Sequence, residues 1–280
     1  MDSLNYNFSL LSDTFAHGAY QTQNFNRPEL RAPSVKGMIR WWHKSLGFSE
    51  QDAGILFGQA IGETKASRVT IRVSPVSTVQ TERADFMPHK GQNGGSKAAI
   101  KPGTRYDLVL TQRRESLSPA LWDQLKRATE AWLLLGGIGQ RSNRSAGSPW
   151  PTTDAPQTPQ IYLETCRKLL QDTRVRVALL NFSSDSEREL RDLSGRFPNA
   201  RDFNIAGNVF GSAVPRKPSP LKLRAVCLDN TLHIAAVWAP SIPYEDTISN
   251  LHAGIETMIQ INEKRQLGML LQEVLPSLAP

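Results

Sequence analysis

The sequence predicts an α+β fold of two ferredoxin-like domains in tandem, and three observations predict it. The first half reads in the order strand, helix, strand, strand, helix, which suits a layered α+β unit better than a parallel α/β sheet. A proline-rich stretch, "SPWPTTDAPQTP" from Ser148 to Pro159, interrupts the chain near its middle. Finally, "LFGQAIGETKASRVTIR", starting at Leu56, can be laid on "VFGSAVPRKPSPLKLR", starting at Val209, with one residue slipped. Phe-Gly, Ala, Lys, Ser and Arg match ahead of an alternating strand, so a duplicated unit is the economical reading. The expected units are 1–155, carrying a long basic insertion at 77–103, and 156–280.

The elements follow in order. In "NYNFSLL", Tyr6, Phe8 and Leu10 alternate with polar residues, as in a half-buried strand. In "ELRAPSVKGMIRWWHKSL" a helix is expected from Ser34, with Pro33 as the stop before it and the serine hydroxyl as its cap. Val35, Met38, Ile39, Trp42 and Leu46 form its core face. "RVTIRVSPV" and "TRYDLVL" are two more strands, with Val69, Ile71 and Val73 on one face of the first and Tyr106, Leu108 and Leu110 on one face of the second. Ser118 and Pro119 open a second helix, striped by Leu121, Leu125, Ala128, Trp132 and Leu135, and Gly136-Gly137 stops it. Beyond the prolines, "RVRVALLNF" is a strand with Val175, Val177 and Leu179 inward. "LKLRAVCL" and "LHIAAVWA" flank Asp229-Asn230, residues suited to a two-residue hairpin turn. A last helix is expected through Ile248, Leu251, Ile255, Met258 and Ile259.

Charge narrows the function. Over 280 residues, 33 Lys and Arg face 26 Asp and Glu, a formal net charge of +7, which favours a polyanionic partner. No apolar run approaches the ~20 residues that span a bilayer, and "MDSLNYNFSL" has no signal-peptide character, so a cytoplasmic protein without a membrane partner is expected. Cys166 and Cys227 match no metal spacing and are expected to be reduced and structural.

The positive charge is concentrated. Lys36, Arg40 and Lys44 recur at i, i+4 and i+8 of the first helix with His43 beside them and no acid until Glu50. Each like-charge i,i+4 pair costs roughly 0.2–0.5 kcal/mol in an isolated helix, a penalty that a bound phosphate would relieve. The reading without a ligand is a solvated basic face. The 77–103 segment, with His89, Lys90, Lys97 and Lys101 around a glycine cluster, exceeds the ~15 residues of an ordinary loop and is either a nucleic-acid clamp or a floppy insertion. Its "GQNGGSK" does not satisfy a phosphate-loop pattern, because serine precedes lysine. "GGIGQRSNRSAGS", from Gly136 to Ser148, offers Gly136, Gly137 and Gly139 for close backbone approach, followed by Arg141 and Arg144.

Signals for catalysis are thin. The five histidines show no pairing for a metal or a nucleophile, and no catalytic residue, metal ligand or cofactor is expected. His17 is read as an RNA-contacting or surface residue, with a general-base role as the alternative. Asp13 and Asp85 would either cap turns, as isolated loop aspartates usually do, or activate a 2′-hydroxyl or hold a metal ion.

"ELRAPSVKGMIRWW", then "LFG" followed by "SRVTIRV", then "GGIGQRSNRSAGS", together resemble the RAMP superfamily of CRISPR effector proteins, and within it the subunit-one type of the type III-B Cmr complex. "VFGSAVPRKPSPLKLR" resembles the second half of the same family. The resemblance implies two ferredoxin-like, RRM-like domains and a non-catalytic RNA-binding subunit, with guide RNA, target RNA or both and neighbouring subunits as partners. It places Arg31, Lys36 and Arg40, the glycine loop with Arg141 and Arg144, and Arg216 and Lys217 among the RNA-contacting positions. The family loop carries a denser arginine cluster and an aromatic, where this chain has Gln140, Asn143 and Ala146. Cleavage in such complexes is ascribed to other subunits, and the resemblance does not carry it onto Asp13. Together these lines predict an RNA groove: Lys36, Arg40 and Lys44 as its wall, the glycine loop as its floor, and the insertion as a lid holding a single strand by its phosphates. Trp41 would either stack a base or pack the helix. The competing readings are an endoribonuclease and an enzyme acting on a nucleotide or phosphosugar.

Overall fold

The computed structural model describes residues 3–17, 27–60, 62, 64–113, 116–196, 212–213, 216–217, 219–239 and 271–274. The expected helix around 248–259 lies outside them.

Strand β1 (Ser3–Leu10) sets Phe8 and Leu10 into the core. Helix α1 (Ala32–Ser45) follows, and it starts earlier than the sequence suggests. Arg31 is the N-cap, in extended conformation and without a side-chain cap bond, while Pro33 sits in the first turn, where its missing N–H costs nothing. The backbone N–H of Ser34 donates to the Arg31 carbonyl, so Ser34 is inside the helix and not its cap. Val35, Ile39, Trp42 and Leu46 are buried as expected, but so is His43, which belongs to the core and not to the basic face. Its Nε2 lies 2.9 Å from Gln124 Oε1, and its ring packs against Phe48 and Phe57.

A short helix, α2 (Glu50–Phe57), capped by Ser49, leads to β2 (Val69–Pro75). The 77–103 insertion is ordered as a hairpin of β3 (Thr81–Asp85) and β4 (Ser96–Ile100) around a 3-10 segment, Pro88–Gly94. Strand β5 (Arg105–Gln112) and helix α3 (Pro119–Leu135), capped by Ser118, complete the predicted series. The proline-rich stretch is not all connector: β6 (Pro149–Pro151) pairs with β1 at the sheet edge, the place where a proline without an N–H is tolerated. The first sheet is antiparallel, in the order β2-β5-β1-β6. Phe8 stacks on Tyr106 and meets Trp132 edge-on at 5.3 Å, joining the sheet to α3.

The second half adds α4 (Pro159–Leu169), β7 (Arg176–Ser184), α5 (Glu187–Arg196), a small hairpin of β8 (Ser212–Ala213) and β9 (Arg216–Lys217), then β10 (Leu221–Leu228), β11 (Thr231–Trp238) and β12 (Leu271–Val274). Asp229 and Asn230 both have positive φ, as the predicted hairpin turn requires. This sheet runs β10-β11-β7-β12, the same permutation of first, second, third and fourth strands as the first sheet. The aligned segments agree with it. Gln59 bridges Lys65 just before edge strand β2, and their counterparts Ser212 and Lys217 pair just before edge strand β10.

Candidate nucleic-acid interface

The glycine-rich loop between α3 and β6 is a keel between the two sheets. Gly136 ends α3, its N–H donating to the Trp132 carbonyl. Gly139 has φ +84, and a Cβ there would stand 2.9 Å from the Phe15 carbonyl oxygen, so only glycine lets the loop lie against the β1–α1 connection. Further along, Ser145 N–H donates to the Leu223 carbonyl and Leu223 N–H to that of Asn143, which lays the loop along the open edge of β10. Arg224, fully buried, seals the junction by donating to the Leu135, Ser142 and Leu223 carbonyls.

The β1–α1 connection is clamped from the other side. Asp13 is 3 % exposed and its Oδ2 lies 2.7 Å from Arg191 Nη2. Arg191 also holds Glu187 at 2.7 Å and donates to the Asp85 carbonyl at 2.6 Å, tying α5 to both the first half and the insertion. Burial first, and then the Glu187 carboxylate, push the Asp13 pKa up to about 7 against the pull of Arg191. Asp85 itself is paired with Arg188 at 2.8 Å.

Between these two loops opens a cleft of about 620 Å³ lined by Phe15, His17, Ser34, Phe86, Gln140 and Arg141, among others. Phe86, from the insertion, meets Phe15 edge-on at 5.1 Å, and Lys97 Nζ lies 4.0 Å above its ring. Lys97 also donates to Gln140 Oε1 at 2.8 Å. His17 presents two buried ring nitrogens without a partner among the described residues, and burial together with Lys97 lowers its pKa, so the ring is neutral at pH 7. Arg141 holds φ +60, a left-handed backbone that a non-glycine residue adopts at a cost of order 1–3 kcal/mol and that is frequent at binding sites.

The structure regroups the predicted residues. Glycine-loop Arg141, His17 and Lys97 come together at the cleft. The row Lys36, Arg40 and Lys44 is not the wall of this cleft. At 100° per residue these three lie on one flank of α1, whereas Ser34, which lines the cleft, and Trp41 lie on the opposite flank. Glu50 turns back to pair with both Lys44 and Arg40, and Arg40 also donates to the Gly58 carbonyl at 2.8 Å. Lys36 instead stands near Arg113 and Arg40, its pKa lowered by burial and by those two charges. Arg144 donates to the Asn143 carbonyl and joins a buried cationic group with Arg224 and Lys222, whose pKa values fall to about 9 and about 7 through burial and neighbouring charge. Lys222 donates to three backbone carbonyls and sits 4.7 Å from the Trp41 ring, so Trp41 is a packing residue. Arg31 pairs with Glu29 and Lys101 with Glu82, while Lys90 is exposed; Arg216 and Lys217 lie on the small hairpin. The insertion is a side wall rather than a lid, fastened by reciprocal Thr14–Ile100 backbone bonds and by α5 packing on its 3-10 segment.

Sequence reasoning missed Phe15, Phe86 and Gln140. Phe15 and Phe86 carry no periodic signal, and Gln140 counted only as a missing charge. The face of β1 and β5 turned from the helices carries Asn5, Asn7, Ser9, Asp107, Val109 and Thr111, without the aromatics that RRM sheets use to stack bases. Among the described residues no cluster suited to a metal ion occurs, and no helix is long and apolar enough to cross a membrane.

The class is an antiparallel α+β fold whose loops, not its sheet face, build a cleft lined by Phe86, His17, Gln140 and Arg141. Residues 7–149 match the model of the RAMP superfamily, and the chain belongs to that superfamily. CRISPR system Cmr subunit Cmr1-1 of Pyrococcus furiosus is 33% identical over 144 residues, covering 43% of this chain and 40% of that protein, so the match spans less than half of the curated relative. The crystal structure of Cmr1 from Pyrococcus furiosus in the apo form superposes with a TM-score of 0.63 at 17% identity, covering 97% of this chain and 98% of that one. A chain of the type III-B Cmr-beta complex bound to cognate target RNA, seen by cryo-EM, gives 0.57 at 9% identity, with 91% and 98% covered. These two likenesses show a shared fold; with the family match they make the chain similar to subunit one of a type III-B Cmr complex.

Proposed function

We propose that this chain is a non-catalytic RNA-binding subunit of a type III-B RNA-guided CRISPR complex, contacting guide or target RNA and neighbouring subunits. The observation that carries it is the cleft itself, which sets the Phe86 ring, backed by the buried Phe15, beside Arg141 and a neutral histidine, with Lys97 bonded to Gln140 at its margin, where the glycine loop meets the β1–α1 connection. Single strands are held by such combinations of stacking surface and cation. Lys36, on the other flank of α1, extends the positive surface. Two ferredoxin-like units, 1–155 and 156–280, are inferred from the identical strand order of the sheets and from the matching hairpins ahead of β2 and β10. A non-catalytic role is supported by the burial of Asp13 against Arg191, away from solvent, and by the pairing of Asp85 with Arg188.

The test is equilibrium binding of the full chain to single-stranded RNA over a salt series. Log K falls against log salt with a slope of about −0.7 per neutralised phosphate on single strands, so Arg141→Ala is expected to flatten it by about 0.7 and Arg141→Ala/Lys36→Ala by about 1.4. The RNA should remain full length. A slope unmoved by Arg141→Ala removes the cleft from the interface, and shortened RNA favours the endoribonuclease reading.

A further inference from the structure

We propose that the cleft is a nucleotide pocket that takes one unstacked base of a bound RNA strand and favours a base rich in hydrogen-bond acceptors, uracil over adenine. This rests on the RNA-binding reading and adds to it a sequence preference.

Gln140 has a fixed orientation. An ammonium group only donates, so the 2.8 Å contact with Lys97 Nζ requires the side-chain oxygen of Gln140 to face the lysine. The Gln140 amide nitrogen is thereby turned the other way, with neither N–H bonded among the described residues, on a residue that lines the cleft. Lys97 is in turn seated against the Phe86 ring and so holds this orientation. Around the same space stand the Ser34 hydroxyl and the Arg141 guanidinium, two further donors. His17, neutral, contributes one donor and one acceptor nitrogen, both without a partner among the described residues. Side-chain N–H donors therefore predominate in a space whose other walls are Phe86, Phe15, Ala16, Ile138 and Gly139.

That inventory fits a base. The two His17 ring nitrogens are buried without a partner among the described residues, and a ligand edge that offers an acceptor beside a donor removes that cost. Uracil presents two carbonyl oxygens and one N–H, which complements Gln140 with Ser34 or Arg141 on one side and the acceptor nitrogen of His17 on the other. Adenine sets its exocyclic amine beside the N1 acceptor, so its edge lacks the acceptor–donor–acceptor order of uracil and turns a donor towards the donor-rich wall. The volume lies within the ~300–1,000 Å³ of sites for small ligands. The pocket opens where Arg141, held in a left-handed backbone, can meet the phosphate attached to that base.

The experiment measures affinity of the full chain for oligouridylate, oligoadenylate and an abasic ribose-phosphate strand, each of about 12 nucleotides. Gln140→Glu is the chosen variant: it keeps the shape and the contact with Lys97 but replaces two donors by acceptors. In the wild type, oligouridylate is expected to bind about 10-fold more tightly than the abasic strand, since one stacked base is worth ~1–3 kcal/mol. Gln140→Glu should lower the ratio of uridylate to adenylate affinity about 10-fold, a good bidentate contact discriminating by ~1–3 kcal/mol. The abasic strand reports any general repulsion by the new charge, and Phe86→Ala should bring uridylate down towards it. Equal affinity for uridylate and abasic strands in the wild type, or an unchanged ratio in Gln140→Glu, overturns the pocket while leaving RNA binding intact. Failure to bind any of the three strands overturns the RNA-binding reading and the pocket with it.

Discussion

Arg191→Ala is expected to cost about 3–5 kcal/mol of stability, the range found when one partner of a buried ion pair is removed and the other is left behind. The arginine is 3 % exposed and is the common partner of Asp13, Glu187 and the Asp85 carbonyl. Its loss would strand Asp13, whose second oxygen already lacks a hydrogen bond. The cost should depend on pH, and the sign follows from the raised pKa of Asp13. Between about pH 4 and about pH 7 the folded protein keeps a proton on Asp13 that the unfolded chain has released, so stability falls as pH rises through that window and levels off above it. Below the window's upper end Asp13 is neutral and misses its arginine less. Arg191→Ala should therefore be more damaging near pH 8 than near pH 5, and Asp13→Asn should recover part of the loss at the higher pH. Urea unfolding at both pH values measures this. A loss below about 1 kcal/mol at the higher pH would show that the network is a surface-like ion pair of the kind worth ~0–1 kcal/mol.

Gly147→Ala is the second large effect. Gly147 has φ +59, where an L-residue pays roughly 1–2 kcal/mol, and an added Cβ would collide with the Ile138 carbonyl oxygen. Two hydrogen bonds close the loop at this residue: Ile138 N–H donates to its carbonyl at 2.8 Å, and its own N–H donates to Asp13 at 3.1 Å. With about 1 kcal/mol for each, the expected loss is about 3 kcal/mol or more. The loop on which Gln140 and Arg141 stand would open as well, so RNA binding should weaken even where the protein remains folded. Gly37→Ala is the contrast: it lies mid-helix in α1 with nothing within 4 Å of an added Cβ, and should stabilise by about 0.5–1 kcal/mol. Thermal unfolding of the two variants with the wild type decides the matter. If Gly147→Ala unfolds with the wild type, the loop is not the keel described above.

Several features could be read from residues alone because they depend on neighbours in the chain. Alternation in "TRYDLVL" and "NYNFSLL", the Ser118 cap, and the Asp229-Asn230 turn are local matters of period, capping and backbone preference, and all are found where expected. Others failed for equally local reasons. Pro33 reads as a break but suits a first turn just as well, and His43 reads as part of a basic row although one residue of helical rotation carries it into the core. Prolines 149 and 151 read as a linker because their edge position cannot be seen without the partner strand.

The site divides the same way. Its positive charge, its glycines and the duplicated pattern ahead of β2 and β10 were determined by the sequence itself, being properties of composition, of single residues and of spacing. Which cations face the cleft was decided only by the tertiary structure. Glu50 returns to quench Lys44 and Arg40, while Lys97 crosses from the insertion to orient Gln140. A charge is usable only where no opposite charge comes within a few ångströms, and the contacts that matter here join residues far apart in the chain. Periodicity reports which face a side chain takes; only the closed fold reports what meets it there.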